Sequence, residues 1–133
     1  LHVRRGDYLD PKRAKFHGNL DIDYYLSSIK FLRKRFGNVP VLLFSDDPNW
    51  INKNLYSLIP NSMVISSSRS SPEMDFYIMS KGSFFVLSNS TFSWLSAFIS
   101  KKEDKFVVIP KFWFNGQKVN SEYIYKEWNY KLI

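Results

Sequence analysis

Residues 39–50 read VPVLLFSDDPNW. Five apolar residues from Val39 to Phe44, interrupted only by Pro40, form a nearly continuous run without polar alternation. A strand with one wet face alternates; a strand buried on both faces does not. The stretch therefore predicts an interior parallel strand over 39–45, followed by acidic residues and a short helix over 46–55 with Pro48 in its first turn. Further strands of the same kind are predicted on either side: 1–4, 63–65, 84–88 and 106–109. Helices are predicted between them over 21–36, 73–81 and 91–100. In the longest, Ile22, Leu26, Ile29, Leu32 and Phe36 recur at helical spacing and predict the buried stripe. Residues 6–20 read as a polar loop, as do residues 66–72 (SSSRSSP), and a last helix is expected near 122–130. Strands alternating with helices predict an α/β class with a Rossmann-like parallel sheet flanked by helices, in one domain spanning 1–133.

Composition narrows the function classes. The chain has 133 residues, 44% apolar and 18% aromatic, enough for a packed core. It has no cysteine, which excludes a disulfide scaffold, thiolate zinc ligation and a cysteine nucleophile. Nineteen Lys and Arg against twelve Asp and Glu leave a net charge of +7, which favours anionic partners. The first residues, Leu1-His2-Val3, already read as strand, so the chain is expected to be part of a longer protein.

In a parallel α/β sheet, ligands gather at the carboxyl ends of the strands. Three polar clusters fall there: Arg4-Arg5-Gly6-Asp7, Ser45-Asp46-Asp47 and Ser88-Asn89-Ser90-Thr91. The last opens a helix, where backbone N–H groups and hydroxyls can face a phosphate. Glycine-rich phosphate loops are absent from the sequence, so a side chain must neutralise phosphate charge; arginine does so with a planar fork. The Arg5-Gly6-Asp7 tripeptide also raises an adhesion-loop reading, which its position directly after the first strand disfavours.

HVRRGDY (2–8), FSDDPNW (44–50), SNSTFSWLSAF (88–98) and VVIPKFWF (107–114) together resemble glycosyltransferase family eleven, the α-1,2-fucosyltransferases. The resemblance covers nearly the whole chain. It implies one half of a GT-B type enzyme that binds GDP-fucose and transfers fucose with inversion to a galactoside acceptor, without a metal or other cofactor. It implies Arg4 as the cation on the donor pyrophosphate and His2 near the nucleotide. Asp75 matches an acidic residue that reads the guanine edge, and Ser90 and Thr91 match the hydroxyl turn at the phosphates. Arg5, Asp46, Asp47 and Asn89 join them as candidate substrate-binding residues, and Asp7 joins Arg4 as a catalytic candidate. Arg5 has the alternative of turning away to pair with a carboxylate, Asp46 and Asp47 that of capping a helix, and Asn89 that of tying its turn. Trp94-Leu95, Gly82 and Phe84 depart from the residues common in that family. Richness in Ile, Lys, Asn, Phe and Tyr points to a bacterial, cytoplasmic protein, with peripheral contact at an anionic membrane surface as a further expectation. Nucleic acid is not an expected partner. The rival reading is a non-catalytic nucleotide-binding or basic interaction module.

Overall fold

The computed structural model describes residues 1–66 and 70–133, with Tyr123 described by its backbone alone. Residues 67–69 of the expected 66–72 loop lie outside the described residues. Strands β1 (His2–Val3), β2 (Val41–Ser45) and β3 (Ser62–Val64) form one parallel set in the order β1-β2-β3. Strands β4 (Phe84–Val86), β5 (Phe106–Ile109) and β8 (Asn129–Leu132) form a second parallel set, β4-β5-β8. His2 Nδ1 lies 2.8 Å from Ser88 Oγ, just beyond β4, and so brings β1 beside the second set. The order β3-β2-β1 then β4-β5-β8 is that of a Rossmann-like sheet, which reverses between β1 and β4. A cavity of about 480 Å³, lined by Val41, Leu42, Phe84 and Val86 among others, lies between the two sets.

In β4 and β5 the continuous apolar runs are explained by two cores, one on each face; in β2, Val41 and Leu43 enter the first core and Phe44 is buried, but Leu42 is 40% exposed, so that strand is not covered on both faces as expected. Helix α2 (Ile22–Phe36) covers one face of both sets. Its Tyr24, Tyr25, Ile29 and Leu32 pack with Val3, Leu43, Val86 and Val108, and with Ile51 and Leu55 from α3 (Pro48–Asn54) and its end. On the other face Phe85, Leu87, Val107 and Ile109 pack with Ala97 of α5 (Thr91–Ile99), Trp113 and Trp128. Neighbouring residues of β4 and β5 thus enter opposite cores. Asp21 caps α2 by accepting from Tyr24 N–H at 2.9 Å, and Arg33, Lys34 and Arg35 occupy its last turn. The buried stripe differs from the expected one. Tyr24, Tyr25 and Ser28 are buried, whereas Phe36 reaches solvent. The two tyrosines are drawn inward because their rings fill the space over both strand sets and because the Tyr24 hydroxyl finds a partner there. It donates to the Leu87 carbonyl at 2.6 Å.

Two expectations are corrected. The 6–20 segment is not a loop. It holds a 3₁₀ turn (Gly6–Leu9) and helix α1 (Pro11–His17), capped by Asp10, which accepts from Lys12 and Arg13 N–H. Asp-Pro followed by good helix formers is a start signal that the polar composition obscured. The last helix near 122–130 is also absent: a 3₁₀ turn (Ser121–Tyr123) leads to β8, because parallel pairing with β5 satisfies the edge backbone better than an isolated helical turn. An antiparallel hairpin, β6 (Phe112–Phe114) and β7 (Gln117–Lys118), stands between β5 and β8. The Asn115-Gly116 pair at its tip, preceded by Phe112-Trp113-Phe114, is the sequence signal for it; Gly116 adopts φ 72° there. Helix α4 (Pro72–Met79) follows the undescribed residues.

Candidate active site

The strands deliver polar groups to one edge. A cavity of about 790 Å³ opens at the carboxyl ends of β1, β2 and β3 and brings together His2, Arg4, Asp46 and Asp75. Ser66, Asn49, Asn52 and Phe92 line it too, and the sequence had not singled them out. Asn49 and Asn52 sit on a helix whose apolar residues draw attention first; Ser66 was hidden in a serine-rich stretch.

Arg4 leaves β1 and is held from two sides. Its guanidinium meets Asp7 Oδ1 at 2.5 Å and Asp46 Oδ2 at 3.1 Å, and its carbon lies 5.4 Å from the centre of the Tyr8 ring. A guanidinium has five N–H donors, so two carboxylates can fix its plane and leave donors for a ligand. Asp7 also pairs with Arg13. Removal from water raises the Asp7 pKa, but the charge of Arg4 and hydrogen bonds from Arg4 and Arg13 outweigh this and hold it below its ordinary value. A carboxylate so held is a weak proton acceptor.

Arg5 turns the other way. Its guanidinium stacks 4.1 Å from the centre of the Trp50 ring, with Nε 3.5 Å from Asp47 Oδ2. Asp47 caps α3, accepting from Trp50 N–H at 3.0 Å. Asp46 Oδ1 accepts from the Arg5 backbone N–H at 2.9 Å, so one carboxylate ties the chain and holds the neighbouring guanidinium. Gly6 makes this possible, since a Cβ there would collide with Asp46 Oδ2.

His2 is 5% exposed, and its ring lies 5.3 Å from that of Phe92. Burial first, together with the positive charge of Arg4, presses its pKa down to about 3. The imidazole is therefore neutral near neutrality and acts as a hydrogen-bonding group. Asp75 is 8% exposed, on the first turns of α4. A relay positions it: Ser45 N–H donates to Ser66 Oγ at 2.9 Å, and Ser66 Oγ donates to Asp75 Oδ2. The other oxygen, Oδ1, is buried and has no hydrogen-bond partner among the described residues. An unsatisfied buried carboxylate oxygen in a cavity is a demand for a donor.

The hydroxyl turn is divided. Ser90 is buried and caps α5, its Oγ accepting from Phe92 N–H at 3.3 Å, while Thr91 is exposed at the first helical position. Asn89 ties three segments: its amide donates to the carbonyls of His17 at 2.8 Å, Gly18 at 3.3 Å and Trp113 at 3.2 Å. Phe92 carries the α5 end to the wall of the Arg4 cavity. Among the described residues, no group of three or more His, Asp or Glu is placed to hold a metal ion. Nor, among them, is any helix long and apolar enough to cross a membrane.

A cation fixed by carboxylates beside a buried, unsatisfied acceptor suits a ligand with a phosphate at one end and N–H donors at the other. The family model described as Glycosyl transferase family 11 matches residues 1–132. The chain belongs to that family. Among relatives of this family 11 chain is the O-antigen biosynthesis glycosyltransferase WbnK of Escherichia coli, 40% identical over 118 residues, covering 87% of this chain and 39% of the relative. Another is an alpha-1,2-colitosyltransferase of Escherichia coli, 32% identical over 123 residues, covering 91% of this chain and 42% of the relative. The chain thus spans about two fifths of the length of these relatives. No solved structure matches it. As a family 11 chain it is a glycosyltransferase-family sequence.

Proposed function

We propose that the chain is the donor-binding half of a GT-B type α-1,2-fucosyltransferase, which moves fucose from GDP-fucose to a galactoside hydroxyl with inversion. The observation that carries this reading is that one cavity holds both Arg4 and Asp75, the one a fixed cation, the other presenting a buried oxygen that has no donor among the described residues. Guanine carries adjacent N–H donors, at N1 and the 2-amino group. Adenine sets a ring acceptor beside its amino group, and uracil offers a single ring N–H. Asp75 Oδ1 therefore favours guanine, and Arg4 takes the diphosphate. In the transfer, the bond between the anomeric carbon and the diphosphate oxygen breaks, and its electron pair stays on GDP. The acceptor oxygen forms the new bond and gives up its proton. Charge grows on the leaving diphosphate, where a cation already oriented by Asp7 and Asp46 stabilises the transition state more than the ground state. Asp7 in this reading orients Arg4; its lowered basicity ill suits it to take the acceptor proton. The chemistry needs no metal in this reading. The relatives in Escherichia coli favour a bacterial setting, and the excess positive charge favours contact with an anionic membrane surface from the cytoplasmic side.

Titration calorimetry with GDP, IDP and ADP tests the reading. GDP is expected to bind tightest. IDP, which lacks the 2-amino group, should be weaker, and the difference should vanish in Asp75→Asn. Arg4→Ala should lower turnover of GDP-fucose by about 10²–10³-fold, the range for loss of one oxyanion donor. Equal binding of GDP and ADP would sink the donor assignment, and salt-sensitive binding of any polyanion would favour a basic interaction module instead. The colitosyltransferase relative favours a second reading, transfer of colitose in place of fucose, which parallel assays with the two donors distinguish.

A further inference from the structure

A second cleft opens at the carboxyl edge, apart from the Arg4 cavity. Its volume is about 560 Å³, and it lies beyond the ends of β4, β5 and β8, where Asn89, Pro110 and Ile133 form its floor. Its walls are the end of α1, the first turns of α2 and the β6–β7 hairpin. The hairpin interrupts the alternation of strand and helix, and it is anchored to α1: Asn115 N–H donates to the Phe16 carbonyl at 2.9 Å, and Asn115 Nδ2 to the Lys15 carbonyl at 3.3 Å. Strand alternation buries Trp113 in the core and places Phe112 and Phe114 on the cleft side. Phe112 is 46% exposed, a large aromatic surface left facing the opening.

Asp21 and Asp23 are the charged groups opposite, among neutral Asn19, Tyr24 and Ser27. Asp21 spends Oδ1 on its helix cap, and Asp23 makes no hydrogen bond or ion pair with the described residues. His17 lines the cleft and has a buried Nδ1 without a hydrogen-bond partner among the described residues. Two carboxylates against Lys111 give this cleft a negative balance in a chain of net charge +7. A phosphate is repelled there. A neutral polyol is not: its C–H face lies on aromatic rings while its hydroxyls donate to carboxylates.

The two clefts are close. The Tyr8 ring has Arg4 on one side, at 5.4 Å from the guanidinium carbon, and His17 stacked on it at 4.3 Å between ring centres. One tyrosine and one histidine separate the proposed diphosphate site from the cleft. We propose that the cleft between α1, α2 and the β6–β7 hairpin is the acceptor subsite, binding a neutral pyranoside ring against Phe112 and Phe114 with its hydroxyls on Asp21 and Asp23. This rests on the glycosyl-transfer reading above, since it supplies that reaction's second substrate.

The test is saturation-transfer NMR on the intact protein at saturating GDP, with methyl β-D-galactopyranoside as the probe and GDP affinity measured in parallel. Saturation transfer to the ring protons is expected in the wild type. Phe112→Ala and Asp23→Asn should each weaken probe binding by about tenfold while leaving GDP affinity unchanged. Both side chains are exposed, so neither change threatens the fold. Wild-type protein giving no transfer to the galactoside, or transfer indifferent to both substitutions, overturns the proposal. Loss of guanine preference with the galactoside effects intact would instead remove the donor assignment and leave the acceptor cleft standing.

Discussion

Gly6 shows how closely the site depends on single atoms. Its missing Cβ lets Asp46 reach both the Arg5 backbone and the Arg4 guanidinium. The Arg-Gly-Asp tripeptide is thus accounted for without an adhesion role: Arg5 stacks on Trp50, Gly6 makes room, and Asp7 bridges Arg4 and Arg13. Gly6→Ala should displace the Asp46 carboxylate and free Arg4 to sample other rotamers. The expected outcome is GDP affinity lowered by about tenfold with little change in melting temperature, since Gly6 is exposed. Calorimetry and thermal melting on the same sample check both halves. Asp75 belongs to the same class. A charged side chain that is nearly buried and only half satisfied costs stability unless a ligand completes it.

Helix α2 links the two strand sets, and Tyr24 is its main polar tie. The hydroxyl donates to Leu87 O just beyond β4, with Val108 O of β5 at 3.5 Å, and burial raises its pKa well above the ordinary phenol value, so the donor stays protonated. Tyr24→Phe removes the donor and leaves a buried carbonyl short of a partner. The expected cost is about 1–2 kcal/mol in urea unfolding, with unchanged helical circular dichroism. A larger loss, or loss of cooperativity, would mean that the two strand sets separate without this bond. The α1 helix and the β6–β7 hairpin are held to each other and to Asn89 through backbone carbonyls, so they move as one wall of the second cleft.

The fold as a whole carries an acid sensitivity rooted in His2. The unfolded chain takes up a proton on this imidazole near 6.5, whereas the folded chain does so only at about 3. Because the folded pKa is depressed, the unfolded state binds more protons between those values, and stability falls as pH is lowered through the window. The slope from this one group is about 1.4 kcal/mol per pH unit. Asp7 acts in the same direction at lower pH: its ion pairs are intact above the ordinary carboxylate range and are lost as pH falls through its lowered pKa. Urea midpoints between pH 7 and 4 should drop more steeply for the wild type than for His2→Asn, which keeps a hydrogen-bonding side chain beside Ser88 without a titrating ring. Parallel slopes would show that the buried imidazole is not the source.

The interior strands were legible because their apolar runs lack polar alternation, which burial on both faces explains in FVVI while Leu42 of VPVLLF stays exposed, and because α2 carries its caps in its own sequence. The positions of Arg4, Asp46 and Ser90 at strand ends followed from the same pattern, since the edge of a parallel sheet is set by strand order alone. What folding added depends on residues far apart in the chain. Whether Arg5 faces a ligand or Trp50 turns on α3 packing, 45 positions away. The relay from Ser45 through Ser66 to Asp75 joins the ends of two strands to a helix, and no local propensity encodes it. The terminal segment chose β8 over a helix because β5 offered an open edge, a long-range pairing stronger than the local preference. Periodicity reports which faces are buried; which side chains meet across the carboxyl edge is decided by packing.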